Sequence, residues 1–382
     1  MKTATRLHSV KEYYFSRKLR EVAEMIKEGK PVINMGIGSP DLKPHPDVVS
    51  ALKEALMHPK AHMYQSYQGL PELRKAISDF YKTHYKVTLD PNSQTLPLMG
   101  SKEGIMHLSM AFLNPGDQVL IPNPGYPTYA SVSRLMEAEA VLYELKASNG
   151  WQPDLEALEA MDTSKVKIMW LNYPHMPTGT DVSIATFDYL IRWAKERDIL
   201  LVNDNPYSFV LTKKPKSILS RPGASEVSVE LNSLSKSFNM AGWRVGMLSG
   251  KATVLQEVLK VKSNMDSGMF FGVQQGAIAA LKMTSDWFEE FNDIYKKRRV
   301  LMEVLAQKLG TTIESQSVGL FLWAKLPKEA PDAEVFINTL LHEKNIFITP
   351  GTIFGSQGEG YIRFSLCVPE DTIKEAIKRI EL

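Results

Sequence analysis

Two continuous apolar runs constrain the fold of this chain more than any other feature of its sequence. Residues 166–171 and 199–203 are apolar apart from Lys167 and Asn203. Such runs are typical of strands that are covered on both faces of a parallel sheet. Segments with helical spacing of apolar residues lie elsewhere along the chain, at 10–29 and 286–309 for example, and residues 318–325 are typical of a further strand. Because strands alternate with helices, the sequence predicts an α/β sandwich with a mainly parallel sheet and right-handed connections.

The bulk composition excludes several classes of protein. The 382 residues are 44% hydrophobic and 23% charged, which is enough material for about two or three domains' worth of core. The formal net charge of +2 favours neither a nucleic-acid partner nor a membrane partner. A disulfide within the chain is excluded because Cys367 is the single cysteine. No apolar run approaches the ~20 residues that span a bilayer, and residues 1–20 lack an apolar signal core. We therefore expect a cytoplasmic location.

One lysine lies in an unusual setting, in the window from Ser233 to Arg244. Lys236 is flanked by hydroxyl residues, follows an alternating apolar stretch and precedes Arg244 by eight positions. A lysine that forms a Schiff base with a cofactor aldehyde needs a rigid strand end and a lowered amine pKa. Neighbouring hydroxyls and an arginine suit a bound phosphate. The alternative interpretation is an ordinary solvated surface lysine.

Two other charged residues occur in apolar strands. Asp204 ends the run at 199–203, and a buried aspartate is unfavourable unless it is paired. A protonated ring nitrogen would be such a partner, and a strand-end cap is the alternative. Arg363 lies in the apolar stretch 361–366, where a guanidinium also needs a partner. A substrate carboxylate bound in bidentate fashion would satisfy Arg363, and an internal ion pair is the alternative.

Two turns could hold a ligand close to the backbone. The stretch 32–41 is a short strand that runs into a glycine-rich turn containing Gly38, and glycine allows close approach to the backbone. The stretch 98–105 is a strand followed by the start of a helix at Ser101. Free N–H groups and the helix dipole make such a start an anion site.

The window 233–244 resembles the cofactor-lysine signature of class I, fold type I aminotransferases, which depend on pyridoxal 5'-phosphate (PLP). At least five separated motifs from about residue 30 to the end occur in the order of that family. The resemblance implies a three-layer α/β/α sandwich with a smaller α+β domain. It also implies a large PLP-binding domain at 45–282 and a small domain built from 1–44 and 283–382. The family forms homodimers with shared active sites, and no metal site is implied.

The resemblance assigns roles to residues of this chain. The residues implied in catalysis are Lys236, as the Schiff-base lysine, Asp204, as the partner of the pyridine nitrogen, and Tyr207, as a partner of the phenolic oxygen. The further cofactor contacts implied are Ser101, Lys102, Ser233, Ser235 and Arg244 at the phosphate, Tyr126 on the ring, Asn172, and Tyr64 from the neighbouring subunit. The substrate contacts implied are Ile37, Gly38 and Arg363.

Two features distinguish this chain within the family. Residues 262–271 resemble the LL-diaminopimelate aminotransferase-like branch and lack the arginine that aspartate-specific enzymes carry near this position. The family usually has Asn-Pro-x-Gly where this chain has 176–179, with Met176 in place of the asparagine. That asparagine contacts the phenolic oxygen of the cofactor. Asn172, four residues upstream, is the candidate replacement.

The activity implied is amino-group transfer between an L-amino acid and a 2-oxo acid, through PLP and pyridoxamine phosphate in a ping-pong cycle. The shared pair implied is 2-oxoglutarate and glutamate, with Lys236 as general base. Two other functions remain open at this stage. One is a carbon–sulfur β-lyase on the same fold, and the other is a non-catalytic regulator that binds PLP.

Overall fold

The computed structural model of the chain describes residues 1–10, 12, 14–313 and 316–381. In chain order the strands are β1 (Ile33–Asn34), β2 (Thr95–Leu98), β3 (Gln118–Asn123), β4 (Glu139–Glu144), β5 (Val166–Leu171), β6 (Leu200–Asp204), β7 (Ser228–Ser233), β8 (Gly246–Gly250), β9 (Thr312–Ile313), β10 (Phe321–Lys325), β11 (Ile346–Phe347), β12 (Thr349–Pro350) and β13 (Tyr361–Ser365). The α-helices are α1 (Tyr14–Lys27), α2 (Pro46–Ala55), α3 (Pro71–Tyr85), α4 (Ser101–Phe112), α5 (Pro127–Leu135), α6 (Leu155–Glu159), α7 (Ile184–Glu196), α8 (Ala224–Val227), α9 (Ala252–Ser263), α10 (Phe271–Leu281), α11 (Ser285–Lys308), α12 (Ala333–Lys344) and α13 (Glu370–Glu381).

A seven-stranded sheet of the order β2-β8-β7-β6-β5-β3-β4 forms the centre of the described structure. The strands from β7 to β4 pair in parallel, whereas β8 runs antiparallel to both β7 and β2. The direction of β8 follows from its connection, because the chain returns from β7 through residues 234–245 without a crossover helix. The prediction of an α/β fold with a mainly parallel sheet is confirmed.

Helices cover both faces of this sheet. On one face, Ile105 of α4 belongs to the same apolar cluster as Val202 of β6. On the other face, Leu190 of α7 belongs to a second cluster with Leu201 of β6. Neighbouring residues of one strand therefore enter opposite layers of core, as expected for successive side chains of a strand. This arrangement explains why β6 contains no polar alternation.

A second sheet of four strands lies in the C-terminal part of the chain. It is antiparallel and has the order β12-β13-β10-β9, and Arg363 of β13 lies opposite Trp323 of β10 and Thr349 of β12. A separate parallel pair joins β1 to β11. Lys18 of α1 also donates a hydrogen bond to Asn338 of α12, with the Nζ and Oδ1 atoms 2.7 Å apart. The N-terminal segment is thus attached to the C-terminal part.

The predicted element bounds differ slightly from those observed. The helix expected at 10–29 is α1, Tyr14–Lys27, and Tyr13 lies outside the described residues. The helix expected at 286–309 is α11, Ser285–Lys308, and the strand expected at 318–325 begins later, at Phe321. In the described part of the chain, no helix combines the length and the apolarity needed to cross a membrane.

Candidate active site

One cavity of about 440 Å³ lies beside the carboxyl ends of the central strands. It is lined by every residue that the sequence assigned to cofactor or substrate except Tyr64: Ile37, Gly38, Ser101, Lys102, Tyr126, Asn172, Asp204, Tyr207, Ser233, Ser235, Lys236, Arg244 and Arg363. Asn172, Asp204 and Ser233 follow or end β5, β6 and β7. Parallel strands bring such residues together at one edge of a sheet, which is where open α/β sheets bind ligands.

Lys236 lies in the turn that follows β7. Its Nζ atom donates a hydrogen bond to the carbonyl oxygen of Gly38, 2.5 Å away. Burial lowers the pKa of the Lys236 amine, and the positive charges of Arg363 and Arg244 act in the same direction. An amine with a lowered pKa is neutral over a wider pH range and can act as a nucleophile or base. The interpretation of Lys236 as a solvated surface lysine is therefore wrong.

Asp204 is a buried carboxylate with one oxygen unsatisfied. Its Oδ2 atom accepts a hydrogen bond from the hydroxyl of Tyr129 at 2.9 Å, and the Tyr129 ring is stacked on Trp170 with centroids 4.9 Å apart. The Oδ1 atom has no hydrogen-bond partner among the described residues. Burial raises the pKa of Asp204 to about 6. An unsatisfied buried carboxylate oxygen in a cavity suits a cationic N–H donor.

The stability of the cofactor-free protein should reflect this burial. The pKa of Asp204 rises from 3.8 to about 6 on folding. Folded protein therefore binds more protons between these values, and stability falls as pH rises through this window. At about 1.4 kcal/mol per pKa unit, the loss above pH 6 is on the order of 3 kcal/mol. In thermal melts of cofactor-free protein, the melting temperature of the wild type should fall relative to that of Asp204→Asn as the pH rises from 4.5 to 7.5. A difference in melting temperature between the two proteins that does not change with pH would contradict the assignment.

An anion-binding cup lies at the start of α4. Gly100 precedes this helix with a φ of +90°, and a Cβ atom added to it would clash with Nη2 of Arg244. A Cβ on Gly246 would lie 2.5 Å from the backbone nitrogen of Ser101. On the same side, Ser233 donates to Ser235 between hydroxyl oxygens 2.9 Å apart. The helix start, two hydroxyls and a guanidinium together match the needs of a phosphate group.

Replacing Gly100 with alanine should show whether the anion-binding cup matters for cofactor affinity, apart from the general effect of backbone strain on stability. Gly116 is the matched control, because its φ is +86° and a Cβ added to it would meet no described atom within 4 Å, whereas one on Gly100 would contact Arg244. Both alanine variants should lose about 1–3 kcal/mol of stability from the positive φ. Gly100→Ala alone should bind PLP at least tenfold more weakly, as measured by fluorescence titration of the cofactor-free protein. Equal affinities in the two variants would show that the Arg244 position does not matter for the phosphate.

Arg363 is buried among aromatic rings, a thioether and a backbone carbonyl. Its Nη1 atom donates to the sulfur of Met176 at 3.2 Å, and its Nη2 atom donates to the carbonyl oxygen of Gly36 at 2.8 Å. Its guanidinium carbon lies 3.9 Å from the ring centroid of Phe321 and 4.7 Å from that of Phe354. The thioether and the rings are weak partners for a guanidinium compared with a carboxylate. The sequence contained no signal for this contact of Met176.

Asn172 is held by two backbone groups. Its Nδ2 atom donates to the carbonyl oxygen of Asp204 at 2.7 Å, and its Oδ1 atom accepts from the N–H of Met176 at 3.0 Å. The second hydrogen of Nδ2 remains for a further acceptor, so Asn172 can still be the replacement that the sequence suggested. Its side chain also links the end of β6 to the loop that carries Met176.

Tyr126 and Tyr207 contribute aromatic walls to the cavity. Tyr126 packs edge-on against Tyr129 with ring centroids 5.6 Å apart, and Tyr207 packs edge-on against Phe321 at 5.8 Å. Burial raises the pKa of the Tyr207 hydroxyl, so this group is a neutral hydrogen-bond donor at all ordinary pH values. Tyr129 was missed in the sequence, although it lies three residues after Tyr126 and could have been found from that spacing.

Tyr64 lies outside the cavity and is 92% exposed. Residues 64–67 are adjacent to residues 265–270, since a Cβ on Gly268 would clash with the carbonyl oxygen of Gln65. This surface also exposes large apolar side chains: Met63, Tyr67, Met265 and Phe270. An exposed apolar patch of this kind is typical of a protein interface.

The donor set fits PLP. Asp204 provides a carboxylate oxygen without a partner among the described residues for the ring nitrogen. Arg244 and the start of α4 form the anion cup, and Lys236 provides a buried amine in the same cavity. These are the groups that this cofactor requires for binding and for electronic tuning.

The comparison with known proteins agrees with this geometry. The model of the class I and II aminotransferases matches residues 30–380, and the chain belongs to this family. It is a PLP-dependent enzyme that transfers amino groups, and neither the lyase nor the regulator interpretation is favoured.

The LL-diaminopimelate aminotransferase of Aquifex aeolicus (strain VF5) is 41% identical over 98% of this chain and 97% of its own length. That of Maridesulfovibrio salexigens is 40% identical over 99% and 98%. The apo structure of BacF from Bacillus subtilis has a TM-score of 0.95 at 36% identity, covering 100% of this chain and 98% of that chain.

Proposed function

We propose that amino transfer takes place in this cavity between an L-amino acid and a 2-oxo acid, with 2-oxoglutarate and glutamate as the shared pair. The observation that carries the proposal is the gathering of Lys236, Asp204, Arg244 and Arg363 around one cavity. Each of these groups answers a different chemical requirement of the reaction. The names of the relatives make LL-diaminopimelate the first donor to test.

The residues that hold the cofactor divide into two groups in this proposal. Ser101, Lys102, Ser233, Ser235 and Arg244 bind its phosphate, whereas Asp204, Tyr207, Asn172 and Tyr126 bind its ring. When bound, PLP supplies an electron sink for the pair released as the substrate Cα–H bond breaks. The Oδ1 atom of Asp204, which has no hydrogen-bond partner among the described residues, would accept a hydrogen bond from the protonated ring nitrogen and so favour its protonated form.

Lys236 moves the proton. Its Nζ atom, with a pKa lowered by burial, accepts the α-proton of the substrate as a general base and later returns it. The hydrogen bond to the Gly38 carbonyl orients one N–H bond and leaves the nitrogen lone pair for the substrate.

Arg363 binds the substrate α-carboxylate, with Ile37 and Gly38 beside it. A carboxylate accepts two parallel N–H bonds from a guanidinium, which is a stronger arrangement than the present bonds to a thioether and a carbonyl. The exchange of partners therefore favours binding. It also places the Cα atom at a defined distance from Lys236, because Arg363 is fixed in β13.

The chain organisation proposed is a large domain at 45–282 and a small domain formed by 1–44 and 283–382. The pairing of β1 with β11 supports the union of the two end segments. We also infer a homodimer with shared active sites. The exposed apolar surface around Tyr64 supports it, and Tyr64 would reach the cofactor phosphate of the neighbouring subunit. Sedimentation of the holoenzyme tests the dimer.

A half-reaction screen tests the proposed function. The holoenzyme is mixed with each of the twenty amino acids and with LL-diaminopimelate, and conversion of the cofactor is followed by absorbance. Addition of 2-oxoglutarate should restore the starting spectrum and yield glutamate. Release of pyruvate or ammonia without restoration by an oxo acid would contradict the proposal and indicate a lyase.

A further inference from the structure

A buried ion cluster lies behind the anion-binding cup. Lys262, near the end of α9, is 1% exposed. Its Nζ atom lies 3.2 Å from Oε1 of Glu103 and also pairs with Oδ2 of Asp266. The same Oε1 atom of Glu103 accepts a hydrogen bond from Nε2 of His107 at 2.8 Å. Burial of such a cluster costs desolvation energy, and none of its four members lines the cavity, so contact with a bound molecule does not explain it.

Glu103 connects the cluster to the cup. It lies in the first turn of α4, and its Oε2 atom accepts a hydrogen bond from the backbone N–H of Met99. Met99 directly precedes Gly100, where the cup begins. The carboxylate thereby fixes the turn that enters the helix, much as the glutamate of a capping box does.

Lys262 makes this carboxylate compatible with a phosphate. A phosphate monoester carries a charge of about −1.5 to −2 at pH 7, and an ionised carboxylate in the same helical turn opposes its binding. Burial acts to raise the pKa of Glu103, but the hydrogen bond from His107, the charge of Lys262 and the Met99 N–H together lower it. Glu103 is therefore ionised. The ammonium of Lys262 offsets its charge and keeps the carboxylate in place.

Asp266 connects the cluster to the surface around Tyr64. Its Oδ1 atom accepts a hydrogen bond from the N–H of Gly268 at 2.7 Å. Gly268 has a φ of +87°, and a Cβ atom added to it would clash with the carbonyl oxygen of Gln65. The Asp266 side chain therefore fixes the backbone against which the residue next to Tyr64 is packed.

A second contact joins the same two segments. Gln274 of α10 is fully buried. Its Oε1 atom accepts a hydrogen bond from the N–H of Leu70 at 2.8 Å, and its Nε2 atom donates to the carbonyl oxygen of Met269 at 2.7 Å. Residues 65–70 and 266–269 are thus attached to each other at two points, so the position of Asp266 affects that of Tyr64.

We propose that Lys262, Glu103 and Asp266 are positioning residues for the cofactor phosphate on both sides of the subunit boundary. Through Glu103 the cluster holds the cup that binds the phosphate in the chain's own site. Through Asp266 it holds Tyr64, which reaches the phosphate in the neighbouring subunit. The inference rests on the proposed function for two placements, that of the phosphate in the cup and that of Tyr64 across the dimer.

Comparison of PLP with pyridoxal, which lacks the phosphate, gives the first test. Both are titrated by fluorescence against cofactor-free protein. Lys262→Met should bind PLP at least tenfold more weakly than the wild type, as for truncation of one side of a buried charge pair, and should keep its affinity for pyridoxal. Lys260→Met is the matched control, because the Lys260 side chain lies on the same helix and is 66% exposed. It should keep both affinities.

The outcomes of this comparison are distinct. Equal losses for PLP and pyridoxal in Lys262→Met, or no loss for PLP, overturn the proposal. A wild type that binds pyridoxal as tightly as PLP overturns the placement of the phosphate in the cup, and with it the cofactor contacts of the proposed function.

A double-mutant cycle with Tyr64 gives the second test. Lys262→Met leaves two carboxylates without their cation, whereas Asp266→Ala keeps the pair of Lys262 with Glu103 and so disturbs folding less. Asp266→Ala should weaken PLP binding at least threefold when Tyr64 is present and not weaken it further in Tyr64→Phe, because Asp266 acts through Tyr64. Equal losses in both backgrounds, or none in either, overturn the proposal. If Tyr64→Phe alone binds PLP like the wild type, the shared site of the proposed function is overturned as well.

Discussion

Replacement of Lys236 with alanine should leave a folded protein that carries no covalently bound PLP and transfers no amino groups. The buried amine of Lys236 serves in the proposal as both the attachment point and the general base. General acid–base catalysis alone contributes about 10²–10⁴-fold, and loss of covalent attachment adds to this deficit. Turnover should therefore fall below about 10⁻⁴ of the wild-type value. The measurements are the single-turnover rate and the intact mass after borohydride reduction.

Lys260→Ala is the control for this variant. The Lys260 side chain is 66% exposed and pairs with Glu257 on the surface of α9, so its removal should change neither the rate nor the mass increase on reduction. A small primary amine added to Lys236→Ala should restore part of the activity by supplying the missing base. Wild-type turnover of Lys236→Ala without an added amine would refute the assignment.

Arg363→Ala should produce the second largest loss. The Arg363 side chain is 4% exposed, and truncation of one side of a desolvated charge pair costs about 2–5 kcal/mol. At about 1.4 kcal/mol for each factor of ten, kcat/KM should fall about 30- to 5,000-fold. The kcat/KM of Arg363→Lys should lie between that of Arg363→Ala and that of the wild type, because an ammonium keeps the charge but cannot form two parallel hydrogen bonds.

Comparison of two substrates separates carboxylate binding from a structural role of Arg363. Phenylalanine has the α-carboxylate, and phenylethylamine lacks it. The Arg363→Ala loss should appear with phenylalanine and be nearly absent with phenylethylamine. A fall of less than threefold with phenylalanine, or the same fall with both compounds, would assign Arg363 to the structure of β13.

The residues at the strand ends could be predicted because their position follows from the fold class. A buried run such as β6 predicts a parallel sheet, and the parallel sheet in turn places Asp204 near the turn that carries Lys236. Arg363 could be singled out because a guanidinium within an apolar stretch requires a partner. In each case a local pattern singled out the residue, and the resemblance to the family supplied its role.

Contacts between distant segments could not be predicted in this way. The alternation of Val229 and Leu231 in β7 is typical of a strand with one solvated face, yet the intervening Glu230 is fully buried and accepts hydrogen bonds from Tyr81, Ser217 and Asn203. Burial raises the pKa of Glu230. Its partners come from separate elements and loops, and their convergence depends on tertiary packing that no window of sequence contains.

The contact of Met176 with Arg363 belongs to the same group. Met176 looked like the loss of a cofactor contact because the comparison with the family concerned one position only. Its sulfur instead lies against a side chain 187 positions away in the sequence. Methionine is long and flexible enough to fill such a gap, and its direction depends on the surrounding rings.

The pairing of β1 with β11 delays the folding of the N-terminal segment during biosynthesis. Asn34 leaves the ribosome roughly 310 residues before its partner strand at Ile346–Phe347, which at about 5–20 residues per second is a delay of roughly 15–60 s. The strands of the central sheet are all synthesised by Gly250, within this interval. Nascent chains arrested before residue 346 should therefore carry a protease-sensitive N-terminal segment ahead of a protected sheet, and any chaperone that shields this segment has to remain bound until translation is nearly complete.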